Sequence, residues 1–164
     1  MGERNDFQVM ITELKETYSF DLTALALVQP DHHFMLKWVF IAGNKHNQYN
    51  RIMLKAEKGI AGTVFKTGKV LKMPDVDAAI APDEIYQYPI VQFEDIKSLI
   101  AIPLFQYHRV EAVLLVASRK PGEVTEETYQ LLMAEIGDRF GPFYTEEMTI
   151  NVGKEENRSS RFID

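Results

Sequence analysis

Apolar and polar positions along this chain follow two different periods, and the switch between them marks its elements. Phe7, Met10, Ile11, Leu14 and Tyr18 recur at helical spacing, with Glu13, Lys15 and Glu16 on the opposite side. This pattern predicts an amphipathic helix from about Phe7 to Tyr18. The run LTALALV at residues 22–28 is bounded by Asp21 and by the turn-forming Gln29-Pro30-Asp31, and it is too short for a helix, so a buried strand is expected. FMLKWVFIA, from Phe34 to Ala42, is rich in aromatic and β-branched residues and stops at Gly43-Asn44, which suits the second strand of a hairpin. A polar stretch, GNKHNQYN, and a weakly patterned segment with Ile52 and Leu54 follow. Gly59 then opens a short expected helix, Ile60 to about Lys66, with Ile60 and Val64 facing inward. Thr67-Gly68 is its stop, where glycine can take a positive φ.

Val70 to Met73 reads as a short strand ended by Pro74, and SLIAIPL at 98–104 and VEAVLLVAS at 110–118 as two apolar strands joined by a turn around Tyr107-His108-Arg109. These two are expected to be central in the sheet. Thr125 is a predicted N-cap, with Glu126 and Glu127 in the first turn of a helix whose stripe is Tyr129, Leu132, Met133, Ile136 and Phe140 and whose end is Gly141-Pro142. Past Ile150 the sequence is polar and aperiodic, so residues 1–150 are expected to form one domain and 151–164 a flexible tail. The order of helix, two strands, short helix, short strand, long loop, two strands and helix describes an α+β domain in which helices flank an antiparallel sheet. Alternating βα units are missing, as are GxGxxG and Walker-type glycine loops, so a doubly wound nucleotide fold is not expected.

The segment from Pro74 to Asp95 stands apart. It carries Asp75, Asp77, Asp83, Glu84, Glu94 and Asp95 without a single Lys or Arg, interspersed with Ile80, Ile85, Tyr86, Tyr88, Ile90, Val91 and Phe93. A loop of this length in so small a domain usually has a function of its own.

Composition removes several kinds of chemistry. The chain has 164 residues, 46% of them apolar and 26% charged, enough for a proper core without staples. It has no Cys, which excludes disulfides, thiolate metal sites and thiol nucleophiles. With 24 acidic against 18 basic residues the net charge is -6, unsuited to nucleic acid, which calls for a basic face. The opening MGERNDFQ has no apolar signal core, and no run approaches the roughly 20 apolar residues that span a bilayer, so a cytoplasmic location away from membranes is expected. His32, His33 and His46 fall in a turn and a polar loop without metal-site spacing, and no metal is expected. No pair among the acids is singled out by its spacing as a catalytic pair.

The block Gly59-Ile60-Ala61-Gly62-Thr63-Val64, followed by Lys66-Thr67-Gly68-Lys69 and Pro74-Asp75-Val76 and later by SLIAIPL and VEAVLLVAS, resembles a GAF domain over roughly residues 7–145. Trp38 in the second strand, Gly59 to Gly62 at the helix start and Tyr88-Pro89-Ile90 in the long loop make it similar to the stand-alone nitrate receptors of the NreA type. The resemblance implies an antiparallel sheet with helices on its faces, a buried nitrate and no other cofactor. It also implies control of an oxygen-responsive sensor histidine kinase whose response regulator switches on nitrate respiration genes. Carried over by position, the anion would be held by the backbone N–H groups of Ile60 and Ala61, with Trp38, Tyr88 and Ile90 as pocket walls.

The physics of the placement is sound. The first N–H groups of a helix lack intrahelical acceptors and the aligned peptide dipoles put positive charge there, so a small anion can bind without a cationic side chain. An aromatic ring is negative on its face, so the anion should meet Trp38 or Tyr88 at the edge or through the indole N–H or phenol O–H. The acidic run and the negative net charge oppose anion capture, although charges beyond about 8 Å are largely screened at physiological ionic strength. Two non-enzymatic alternatives stay open, a GAF domain for another small ligand and a GAF module that only dimerises or scaffolds through its terminal helices. A cyclic nucleotide would call for an NKFDE-type motif, which NKHNQYN does not supply. The enzyme that shares the fold, free methionine sulfoxide reductase, works through cysteines, and this chain has none.

Overall fold

Both faces of the sheet are covered, which is why its central strands are continuous apolar runs instead of alternating ones. The computed structural model describes residues 3–136, 139–146 and 149–150; the expected tail, 151–164, lies outside them. The strands are β1 (Leu22–Gln29), β2 (Met35–Ala42), β3 (Met53–Leu54), β4 (Val70–Met73), β5 (Ser98–Gln106), β6 (Arg109–Ser118) and β7 (Thr149–Ile150), in the order β3-β2-β1-β6-β5-β4-β7. The first six are antiparallel. β7 was not foreseen and departs from the expected antiparallel plan, because it runs parallel to β4 at the edge.

On one face lie α1 (Glu3–Tyr18) and α5 (Glu126–Ile136), which bury Phe7, Ile11, Leu14, Tyr129, Leu132 and Ile136 against the sheet. Arg139 bridges them at the surface, donating to Glu13 at 2.8 Å and Glu135 at 3.0 Å. Thr125 caps α5 as expected, its hydroxyl accepting from the Thr128 N–H at 3.3 Å. Phe140, the last residue of the expected stripe, is buried from a turn and not from the helix. On the other face lies α2 (Gly59–Thr67), ended by Gly68 at φ 66, the left-handed stop expected of it.

The segment 74–95 is not the irregular loop its sequence suggests. It folds into α3 (Val76–Ala79), a 3-10 turn (Pro82–Gln87) and α4 (Pro89–Phe93), forming a helical lid over the α2 face. Asp75 caps α3 by accepting from the Ala78 N–H, and Pro82 and Pro89 sit at helix starts, where a missing N–H costs nothing. Elements of four to six residues are too short to show a helical period.

A register shift in the β1–β2 hairpin determines which way one key side chain points. Leu25 pairs with Phe40 while Ala26 pairs with Trp38, leaving Val39 as an extra residue in β2. Without that bulge Leu36, Trp38 and Phe40 would share a face. Instead Leu36 and Trp38 belong to the core under α2, and Phe40 to the core under α1.

One end of the sheet is tied by Arg119, just past β6. Its backbone N–H donates to Asp21 at 2.7 Å, and this bond holds the Asp21 carboxyl below the usual carboxylate range against the opposing effect of burial. A lowered folded value means that the carboxylate contributes stability fully above about pH 4, the unfolded value, and loses it as the pH falls through the folded value. In urea unfolding between neutral and strongly acidic pH, Asp21→Asn should therefore be less stable than wild type at neutrality, with the gap narrowing below about pH 4. A constant gap would mean that the negative charge contributes nothing.

Candidate functional site

The start of α2 is buried, and burial sets the problem that the site has to solve. Ile60 and Ala61 have no exposed surface and Gly59 is buried with them. Lys58 is the N-cap residue and gives no side-chain cap; the first helical bond runs from the Gly62 N–H to the Lys58 carbonyl at 3.0 Å. The N–H groups of Gly59, Ile60 and Ala61 precede that bond and have no acceptor among the described residues. The Ile60 and Ala61 donors, at the positive end of the helix, are thus held in a water-poor surrounding.

The glycines here are shaped by the backbone around them. Gly59 sits at φ 66, a left-handed conformation that turns the chain from the preceding loop into the helix. A Cβ on Gly62 would lie 2.2 Å from the Lys55 carbonyl oxygen, and the Gly62 carbonyl accepts from the Glu57 N–H at 2.8 Å. Gly62 therefore lets the 55–58 loop wrap onto the first turn.

Trp38 is fully buried on the α2 face, delivered there by the neighbouring bulge, and its indole Nε1–H has no hydrogen-bond partner. A buried donor left unpaired costs about 1–3 kcal/mol, so its persistence calls for an explanation. The other orphan among the described residues, the Thr23 hydroxyl, sits between Leu22 and Ala24, whose side chains enter the α2-face core; strand alternation sends Thr23 to the opposite face.

The lid supplies the remaining walls. Ile90 is buried in α4 and Tyr88, at its N-cap, is half-buried. Trp38, Ile60, Ala61 and Ile90 belong to one core cluster against which Tyr88 packs, so residues scattered from 38 to 90 in the chain converge. Where the lid meets the helix start, a cleft of about 400 Å³ is lined by Glu57, Lys58, Gly59, Tyr86, Gln87 and Tyr88. Of the converging residues only Tyr88 lines this cleft.

Three of the six acids in the run are paired with a cation. Asp77 pairs with Lys97 at 3.1 Å, Asp95 with Lys45 at 2.9 Å, and buried Glu94 with Arg119 at 2.7 Å. The bond from Lys45 holds the Asp95 carboxyl below its ordinary range. At this cleft, Glu57 is paired with Lys66 at 3.3 Å and Lys58 adds a positive charge. His32, His33 and His46 are exposed. Among the described residues no group of three or more His, Asp or Glu side chains is placed to hold a metal, and no described helix is long and apolar enough to cross a membrane.

The bulge at Val39 escaped the sequence reading because Val39, Phe40 and Ile41 are all apolar, and the lid's short helices are signalled only at their starts, by Asp75, Pro82 and Pro89.

The GAF domain family matches residues 7–141. The chain belongs to the GAF domain family. Among solved structures it is similar to an NreA protein of Staphylococcus aureus mutated in its nitrate binding site, at 33% identity and TM-score 0.68, covering 72% of this chain and 86% of that one. It is similar to a hypothetical protein of S. aureus at 32% identity and TM-score 0.67, covering 71% and 96%. A type II free methionine-R-sulfoxide reductase from Thermoplasma acidophilum, at 16% identity and TM-score 0.65 over 87% and 95%, shares the fold alone. None of the curated proteins matches the sequence.

Because the Gly62 contact is with backbone, which cannot swing away, Gly62→Ala should lower stability by about 1–3 kcal/mol in urea unfolding. The same substitution at Gly122, where nothing lies within 4 Å, should cost only the strain of its φ of 76, about 1–2 kcal/mol. Gly62→Ala should also loosen the helix start, seen as faster amide exchange at 59–62, which Gly122→Ala should not change.

Proposed function

We propose that this protein is a cytoplasmic nitrate sensor, a binding module without catalytic activity, whose occupancy is read by a sensor histidine kinase that controls nitrate respiration genes. The observation that carries the ligand half is the convergence of unpaired donors. The Trp38 indole N–H and the first N–H groups of α2 lie in one buried, otherwise apolar cluster. That set suits a small acceptor-only monoanion. Nitrate is flat, offers three oxygens and is weakly hydrated, so it loses less on leaving water than sulfate or phosphate does. The similarity to an NreA protein described by its nitrate binding site supports the same choice.

The roles follow from position. Ile60 and Ala61 would donate through the backbone, at the positive end of the helix dipole. Trp38 would donate in the plane of its ring, where the quadrupole favours negative charge. Tyr88 and Ile90 would close the pocket from the lid, so that binding links the start of α2 to the lid and changes the surface that a partner reads. The kinase half rests on the family resemblance. A thiol-based reductase reading has no support in a chain without cysteine.

Calorimetric titration with nitrate at millimolar concentrations, with chloride and sulfate as comparisons, tests the ligand. A saturable heat with nitrate alone is expected; no heat would end the reading. Ala61→Pro removes one donor at a first-turn position that tolerates proline, and should weaken nitrate by about tenfold or more, as for a lost hydrogen bond to a charged group. Ala61→Gly keeps the donor and should cost much less. Equal losses in both would mean that the helix start is structural.

A further inference from the structure

Resting on the nitrate reading for its functional consequence, we propose that Arg119 and Glu94 are positioning residues, a part-buried clamp that holds α4 and thereby sets Ile90 and Tyr88 against the start of α2. Arg119 follows β6 and so belongs to the rigid sheet; Glu94 is the residue that ends α4. The guanidinium grips Glu94 twice, Nε donating to its carbonyl at 2.8 Å and Nη2 to its carboxylate at 2.7 Å. It reaches the Gly43 carbonyl at 3.1 Å and the Asp21 carbonyl at 3.4 Å as well. The Glu94 carboxylate is 99% buried by its surroundings, being only 1% exposed, and accepts the backbone N–H groups of Lys45 at 2.6 Å and His46 at 3.2 Å.

The site lies one hydrogen bond further on. The Glu94 N–H donates to the Ile90 carbonyl at 3.1 Å, and within the same short helix the Gln92 N–H donates to the Tyr88 carbonyl at 3.1 Å. A helix of five residues cannot hold its own position. The path from Arg119 through Glu94 to Ile90 ties it to the sheet, whereas the 3-10 turn before it shows no comparable buried bond.

Stability alone does not account for the pair. A buried ion pair can often be replaced by packed apolar residues without loss, and what a planar guanidinium adds is a defined geometry for the groups that it grips. The charge-assisted fork places the end of α4 relative to β1, β2 and β6 together. The clamped half of the lid is then the fixed wall of the pocket, and the exposed turn Pro82–Gln87 is the part left free to respond to a ligand.

The test uses Glu94→Gln, which keeps the shape and removes the charge, and Arg119→Lys, which keeps the charge and removes the fork. Lys45→Ala is the comparison, since it removes only the surface pair with Asp95 and leaves the Lys45 N–H in place. Hydrogen exchange followed by mass spectrometry should show residues 88–96 exchanging about tenfold or more faster in both clamp variants, with β5 and β6 unchanged. Calorimetry should show nitrate binding weakened by a similar factor, and Lys45→Ala should do neither. Unchanged exchange at 88–96, or equal acceleration across the sheet, would overturn the clamp, and selective loosening with unaltered nitrate affinity would overturn its positioning role. If wild type gives no nitrate heat, the ligand reading has failed, and the exchange comparison by itself decides the clamp.

Discussion

A helix that starts inside a protein brings N–H groups that nothing in the helix can accept, and most of what is particular to this chain is arranged around that fact. The first residues of α2 are buried, uncapped by any side chain and turned in by Gly59 at a positive φ. The 55–58 loop folds back onto Gly62 at backbone contact distance, closing the outside of the first turn. The bulge in β2 brings the Trp38 indole into the same core, and the lid adds Ile90 and Tyr88. Each of these costs something by itself: a left-handed backbone, a disrupted ladder, an unpaired indole. Together they bring unpaired N–H groups and apolar walls into one core cluster, the arrangement on which the proposed anion site rests.

The negative net charge is less of an obstacle than it looks from the sequence. Half of the six carboxylates of the lid are committed to ion pairs, Asp77 to Lys97, Asp95 to Lys45 and Glu94 to Arg119. The pairs involving Asp77 and Asp95 are exposed and contribute little to stability; they border a different cleft from the one at the start of α2, where Lys58 and the helix dipole supply positive potential. Glu94 serves the lid's attachment through Arg119.

The strands were legible because a sheet covered on both faces leaves LTALALV, SLIAIPL and VEAVLLVAS as uninterrupted apolar runs. The helix stop at Thr67-Gly68 and the cap at Thr125 were legible because each depends on one residue type in one place. The lid was not, since α3 and α4 are shorter than a helical period can reveal, and β3, at two residues, is shorter still. The bulge was invisible because every residue around it is apolar, and the Arg119–Glu94 clamp because its members lie 25 residues apart with no pattern linking them. Spacing did not bring Trp38, Ile60, Ala61, Tyr88 and Ile90 together; the family resemblance did, and the structure packs them in one cluster.

The central claim concerns specific protons, and nuclear magnetic resonance sees them directly. Trp38 is the single tryptophan, so its indole N–H gives one assignable signal. On adding nitrate, that signal and the amide signals of Ile60 and Ala61 should shift together along one saturation curve, while chloride at the same ionic strength leaves them in place. Nitrate-dependent shifts confined to surface residues, with the indole and both amides unmoved, would contradict the account.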